Sequence, residues 1–469
     1  MKFFICDDPK KFTKTEFTSF GKWHFCYDDK VSVQYYRVYE GEDFIVLYSG
    51  YLIEGDIEEV AANFSFHDAN GNFFAVKLTK TDYEISLDYF NNHKVFTADK
   101  YGIEITNHLP YMTIQEDDVV KDTGRLMYCD YRREISPNEQ TTFFNHITSV
   151  LPDYDYVGDC KQALREDVWD VDELTDYIHE CMSQHAQVIK DKYKNRFISL
   201  SEGIDSALQS QYFKDDPQYL YHIYPCHAGD DGLKYKEIAQ NNFANTQMLK
   251  FETSKSKEYT QEYLRDSSTR WGSILPTIMQ VEKSNPDIVL YGVNGDEMFF
   301  RDLFPHLFLL CLKYYDESGW YVHNKMIDDL EDKRGQYGAN YTLGTHKNTD
   351  DYLEEFVEGC LRSGMSRDII EDTMHLHMTP KMYTRVISCN NDVITASLYN
   401  DRRIYHEVFK LNTEFLENNA MDSPIQRKML EKFDYEFVTP HKDVLYADYD
   451  GIFNNIFHAT VPHCMEQNV

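Results

Sequence analysis

The sequence predicts two fold classes in one chain. Residues 1–155 read as an α+β, β-rich domain. Residues 165–469 read as an α/β domain, with a doubly wound parallel sheet over 195–300 and a mostly helical part over 301–469. Three observations predict this. The first 150 or so residues carry alternating β-branched and aromatic runs split by turn clusters. From about residue 165, short apolar runs alternate with helical patterns, which predicts parallel strands with helices on both faces. Two of those apolar runs end in glycine-bearing turns, and ligands sit at the carboxyl ends of such strands.

The elements follow in order. Strands are expected at Val31–Val38, Asp43–Tyr48, Phe73–Leu78 and Glu84–Tyr89, with a turn at Asp68–Asn72 and one helix near Asp56–Ala62. In the second domain, strands are expected at 196–200, 219–224, 246–251 and 287–292. Helices are expected near 204–213, 232–243, 256–266 and 271–283, and a polar loop over 333–350. There is no internal repeat and no low-complexity segment.

Composition narrows the function. A chain of 469 residues suits two or three domains, and 42% hydrophobic residues suffice to build their cores. With 36 Tyr and 30 Phe, those cores should be aromatic. A net charge of −32 argues against duplex nucleic acid as a partner, since that affinity comes from Lys and Arg. One local pocket can still be positive, so a nucleotide remains an allowed ligand. The ten cysteines are scattered without a C-x-x-C pair, so no zinc ribbon is expected. His222, Cys226 and His227, and likewise His375 and His377, read as structural. The start Met-Lys-Phe-Phe-Ile-Cys-Asp-Asp does not read as a secretory signal. Leu303–Leu312, broken by Pro305 and His306, is too short to span a bilayer. A cytoplasmic protein with no membrane partner is expected.

The chemistry concentrates in two strings. The first is Leu200-Ser201-Glu202-Gly203-Ile204-Asp205-Ser206-Ala207. It follows the apolar run Phe197, Ile198, Leu200 and opens a helix whose apolar residues are Ile204, Ala207, Leu208 and Tyr212. A helix start after a Ser/Gly turn favours phosphate. Ser201 and Ser206 add hydroxyls, and Asp205 among phosphates suggests a bridging Mg²⁺. No lysine follows Gly203, so this is not a Walker A loop. The second string is Gly292-Val293-Asn294-Gly295-Asp296-Glu297-Met298-Phe299, after the run Ile288–Tyr291. In a doubly wound sheet both strings lie on one rim, where Asp205 and Asp296 could share the Mg²⁺.

The first string resembles the S-G-G-x-D-S loop of the N-type ATP pyrophosphatases, whose members include asparagine and β-lactam synthetases. The second resembles the S-G-x-G-x-D-E-L-F segment of asparagine synthetases. Looser likenesses lie at Asp231–Gln240, at Leu398–Arg403 (similar to a P-F-L-D stretch), and at Ile425–Leu430 with Thr439–Lys442. The resemblance implies ATP and Mg²⁺. It implies nucleotide contacts from Leu200, Ser201, Gly203, Ile204, Asp205, Ser206, Gly292, Gly295 and Glu297, metal ligation by Asp205 and Asp296, and a catalytic Lys442. The reaction implied is adenylation of a small carboxylate with loss of pyrophosphate, then attack by an amine or ammonia.

Gly50–Glu54 and Asn70–Val76 resemble segments of the family's glutaminase-like, Ntn-amidotransferase half. There the active nucleophile is a cysteine at position 2 with a free α-amine. Here position 2 is Lys2 and Cys6 sits inside an expected strand, so no glutamine hydrolysis is expected. Two further departures concern Glu202, in place of the first loop glycine, and the stretch 383–397. In that stretch the family's acidic and arginine residues are not recognisable. Two other readings therefore stay open: a nucleobase- or nucleotide-modifying pyrophosphatase, and a non-catalytic nucleotide-binding or structural relative. The sequence leaves the oligomeric state open and is compatible with a homodimer.

Overall fold

The computed structural model describes residues 2–12, 16–27, 37–118, 142, 144–150, 152, 170–200, 203–214, 219–222, 246–249, 286–299, 393–408, 423–435 and 437. The expected helices at 232–243, 256–266 and 271–283, the loop at 333–350, and His227, His375 and His377 lie outside these residues.

The N-terminal region forms two antiparallel sheets. Strands β1 (Phe3–Cys6), β2 (Thr18–Phe20), β3 (Trp23–Tyr27), β8 (Phe96–Ala98), β9 (Glu104–Thr106) and β10 (Ile147–Ser149) form one, in the order β10-β8-β9-β1-β3-β2. Strands β4 (Arg37–Glu40), β5 (Phe44–Leu52), β6 (Gly71–Thr79) and β7 (Tyr83–Leu87) form the other, in chain order. Side chains alternate along β5 as strand geometry requires. Ile45 and Leu47 join Phe3, Trp23, Phe25, Phe74 and Ile105 in a core between the sheets. Val46 and Tyr48 face the other way, onto Ala61, Phe64 and Phe66. That outer face is covered by helix α1 (Ile57–Asn63), whose N-cap Asp56 accepts from Glu58 N and Glu59 N. Each fully buried side chain of this kind stabilises by about 1.5–3 kcal/mol.

Beyond residue 165 a five-stranded sheet is entirely parallel. Its strands are β11 (Arg196–Leu200), β12 (Tyr219–His222), β13 (Thr246–Leu249), β14 (Ile288–Leu290) and β15 (Ile394–Ala396), in the order β13-β12-β11-β14-β15. Chain order reverses between β11 and β14. A crevice opens at such a reversal because the following connections diverge to opposite faces.

Two findings differ from the sequence reading. The sheet was expected within 195–300, yet Ile394–Ala396 supplies its edge in a region read as helical. A three-residue strand carries too little pattern to stand out, and its pairing with β14 is a tertiary contact. The second is helix α2 (Val171–Lys192), which the reading did not identify. Its signal was available. Leu174, Ile178, Cys181, Met182, His185, Ala186 and Ile189 repeat at helical spacing and are buried. Asp170 caps the start by accepting from Asp172 N and Glu173 N, and Lys190 and Lys192 suit the dipole at the end.

Helix α2 joins the two regions. Its buried face shares one core with Ile198, Leu200, Ile204, Leu208 and Leu290 of the parallel half, and with Tyr51, Ile53, Tyr89 and Phe90 of the N-terminal half. Tyr51 Oη and His185 Nε2 are hydrogen-bonded at 2.8 Å. Lys192 Nζ donates to the Gly50 carbonyl at 2.6 Å. Burial pushes His185 down to about 4 and Lys192 down to about 8. Among the described residues no helix is long and apolar enough to cross a membrane.

Candidate nucleotide site at the strand reversal

Helix α3 (Ile204–Gln211) starts four residues after β11 ends, and Gly203 is its N-cap. Every residue of α3 is buried. This explains why a polar string such as Asp-Ser-Ala-Leu-Gln-Ser-Gln still forms a helix here: its polar side chains find partners inside. Ser206 Oγ donates to Gly203 O at 3.0 Å, Ser210 Oγ donates to Ala207 O at 2.7 Å, and Gln209 Oε1 accepts from Leu398 N at 2.9 Å. The first N–H groups of an α-helix have no intrahelical acceptor, so this end carries a positive field. Asp205 lies within it, 8% exposed.

The loop after β14 closes directly on that helix start. A Cβ at Gly292 would come within 2.6 Å of Ser206 N. A Cβ at Gly295 would come within 2.5 Å of Asp205 Oδ1 and 2.6 Å of its Cγ. Both positions therefore exclude any side chain. Asn294, between them, is in the left-handed region at φ 68°, which Asn tolerates better than most residues. Its carbonyl accepts from Met298 N at 2.9 Å, opening the short helix α4 (Gly295–Met298).

A third segment straps this loop down. After β15, Ser397 Oγ donates to Val293 O at 2.6 Å, and Tyr399 Oη donates to Asp205 O at 3.0 Å. Asn294 Nδ2 donates to Asn400 Oδ1 at 2.5 Å. Asn400 Nδ2 donates in turn to Asn92 Oδ1 at 2.9 Å, and Asn92 Nδ2 to Asp88 Oδ1 at 2.6 Å. A buried polar chain thus runs from the N-terminal sheets to the loop over Asp205. Beside it, Asn70 Nδ2 donates to Asp401 Oδ1 at 2.8 Å and Asn72 Nδ2 to Thr395 O at 2.7 Å. Arg403 pairs with Asp401 at 2.7 Å. Burial pushes Asp88 up to about 7 against the pull of its hydrogen bonds from Asn92 and Phe90.

A fourth element completes the enclosure. Helix α5 (Pro424–Glu431) buries Ile425, Gln426, Met429 and Leu430, and Pro424 fits its first turn. Gln426 Nε2 donates to Asp205 Oδ1 at 3.3 Å and to Gly295 O at 3.4 Å.

Of the residues singled out in the sequence, the structure brings together Leu200, Gly203, Ile204, Asp205, Ser206, Gly292 and Gly295. Leu200 and Ile204 do so as core residues, 3% and 2% exposed. Ser201, Glu202 and Lys442 lie outside the described residues, as do the side chains of Asp296 and Glu297. Among the described residues no group of three or more His, Cys, Asp or Glu is placed to hold a metal. A group that faces Asp205 Oδ1 is instead the Gln426 N–H₂, a hydrogen-bond donor.

Sequence reading missed Gln426, Asn92, Asn294 and Asn400 as site residues. Asn294, Asn400 and Gln426 fall inside quoted strings, but nothing local marks an asparagine or glutamine as part of a distant chain. No family model and no curated protein matches the sequence.

Proposed function

We propose that this protein is an ATP-dependent amide-forming ligase of the asparagine synthetase type, which does not hydrolyse glutamine itself. The observation that carries this is the convergence of the Asp205–Ser206 helix start with the Gly292–Gly295 loop, at the carboxyl ends of β11 and β14 where strand order reverses. A substrate carboxylate oxygen attacks the α-phosphorus of ATP. The bond from that phosphorus to the bridging oxygen breaks, and pyrophosphate leaves. An amine then displaces AMP from the acyl carbon.

The chain's own part is to position and to stabilise charge. The start of α3, with Ser201, Gly203 and Ser206, cradles phosphate. Lys442 would add a point charge to the departing pyrophosphate. Mg²⁺ held by Asp205 and Asp296, with Glu297 behind them, would neutralise phosphate charge when bound. The N-terminal sheets serve as scaffold. Lys2 stands where an N-terminal cysteine nucleophile would be needed. Burial pushes the Cys6 thiol up to about 11, so it carries almost no thiolate near neutrality. The attacking amine is then free ammonia, a small amine or a group on the substrate itself. A cytoplasmic setting belongs to the same proposal, supported by Cys6, Cys26 and Cys181, which are all free thiols.

The test is Mg²⁺-dependent ATP–pyrophosphate exchange against a panel of amino and other carboxylic acids. One acid should support exchange, and Asp205→Ala should lower it by about 10²–10³-fold. Measurable ATP binding without exchange for any acid would sink the ligase reading.

A further inference from the structure

We propose that Asn92, in the N-terminal half, is a positioning residue for the Gly292–Gly295 loop, acting through Asn400 and Asn294. That the loop serves a nucleotide rests on the ligase reading above; that Asn92 holds the loop does not.

The loop carries a conformation that needs holding. Asn294 sits at φ 68° between Gly292 and Gly295. A residue other than glycine is strained there, asparagine less than most, and persists where its surroundings fix it. Asn294 is fully buried, and its Nδ2 donates to Asn400 Oδ1 at 2.5 Å. Asn400 Nδ2 donates in turn to Asn92 Oδ1 at 2.9 Å, so both ends of the Asn400 amide are engaged.

The direction of this chain is set in the N-terminal half. An ionised carboxylate only accepts hydrogen bonds. Asp88 accepts from Asn92 Nδ2 at 2.6 Å, which leaves Asn92 Oδ1 to face Asn400. Asn400 must then donate to Asn92 and offer its oxygen to Asn294. Reversing Asn92 or Asn400 would set oxygen against oxygen, or N–H₂ against N–H₂. Asn92, Asn400 and Asn294 are 3%, 2% and 0% exposed, so bulk water does not take a partner's place, and a buried chain of this kind acts as a unit. Two parallel contacts lack this reach. Asn70 Nδ2 crosses to Asp401 Oδ1 and Asn72 Nδ2 to Thr395 O, both outside the loop. Asn72 is therefore an internal control. It bonds between the same two halves, but onto the β15 backbone.

The test is amide hydrogen–deuterium exchange, read by mass spectrometry on the full chain. It is run at pH 8, where Asp88, pushed up to about 7 by burial, is ionised. Asn92→Leu removes both the donor to Asp88 and the acceptor of Asn400. Exchange over 292–298 should quicken by about 2- to 30-fold in this variant, with strand 196–200 as the reference for global opening. In Asn72→Leu the same loop should stay within about 2-fold of wild type. An unchanged loop in Asn92→Leu overturns the proposal. So does equal quickening of loop and strand, which reports global destabilisation, and so does an equal loop response in both variants, which reports a loosened junction. Should Asn92→Leu not fold, Asn92→Ser decides by the same comparison, since its hydroxyl can serve Asp88 but is too short to serve Asn400 as well. ATP affinity is measured separately by calorimetry. Asn92-dependent loop exchange with no ATP binding in wild type would remove the nucleotide reading alone. ATP binding in wild type with Asn92-independent loop exchange would remove this proposal alone.

Discussion

Asp88 and Asp205 are both buried carboxylates, one in each half of the protein, and their surroundings differ. Asp88 is fully enclosed by its own loop. It accepts from Phe90 N at 3.0 Å, from Asn92 N at 3.0 and 3.2 Å, and from Asn92 Nδ2 at 2.6 Å. All those donors lie within four residues. Asp205 is met by elements far apart in the chain: Gly295 closes on it and Gln426 reaches it with one long bond. The first carboxylate organises a turn. The second stands at a strand reversal, in the field of a helix start, with a neutral amide facing it. The difference teaches that two equally buried carboxylates can be held in different ways, one by neighbours in sequence and the other where segments from distant parts of the chain converge.

That contrast can be broken first at Gly295. Gly295→Ala would place a methyl against the Asp205 carboxylate. We expect exchange activity to fall by about two orders of magnitude, with a stability loss of about 1–3 kcal/mol by urea denaturation. Exchange near the wild-type rate would show that Asp205 does not need this approach.

Asn400 links the loop of Asp88 to the loop over Asp205. Asn400→Leu strands Asn92 Oδ1 and Asn294 Nδ2 inside the protein, and about 2–4 kcal/mol of stability should be lost. A double-mutant cycle with Asn92→Leu should show coupling of at least about 0.5 kcal/mol. Additive losses would mean the chain of asparagines is not one unit.

The smallest effect concerns pH. Asp88 titrates near 7 in the folded protein and near 4 when unfolded. The folded state thus binds more protons between those values, so this group's stability contribution is full below about pH 4 and lost as pH rises to about 7. Asp88→Asn should remove that decline. His185, pushed down to about 4 by burial, acts oppositely, its contribution growing as pH rises from about 4 to 6.5. Urea midpoints from pH 4.5 to 8 should therefore rise more steeply with pH in the variant than in wild type. Parallel curves would refute the role assigned to Asp88.

Much of the scaffold was legible because its signals are local. The runs at 196–200 and 288–290 are short, apolar and β-branched or aromatic, and each is followed by glycine. Gly292 and Gly295 stood out in the string, and the close approach to Ser206 and Asp205 is their physical reason. Val171–Lys192 was legible too but was missed, although its buried positions recur at helical spacing behind an aspartate cap. The strand Ile394–Ala396 was not legible, since three residues define no period.

By itself the amino-acid order determined that a strand, a tight turn and a helix follow one another at Phe197–Tyr212, because turn chemistry and apolar spacing act over a few residues. Only the tertiary structure decided that Gln426, 221 residues away, faces Asp205, and that Asn92, Asn400 and Asn294 form one chain. The reason is physical. A glutamine or asparagine amide looks the same at a solvated surface and in a buried network, and only packing of distant elements removes the water that would otherwise be its partner.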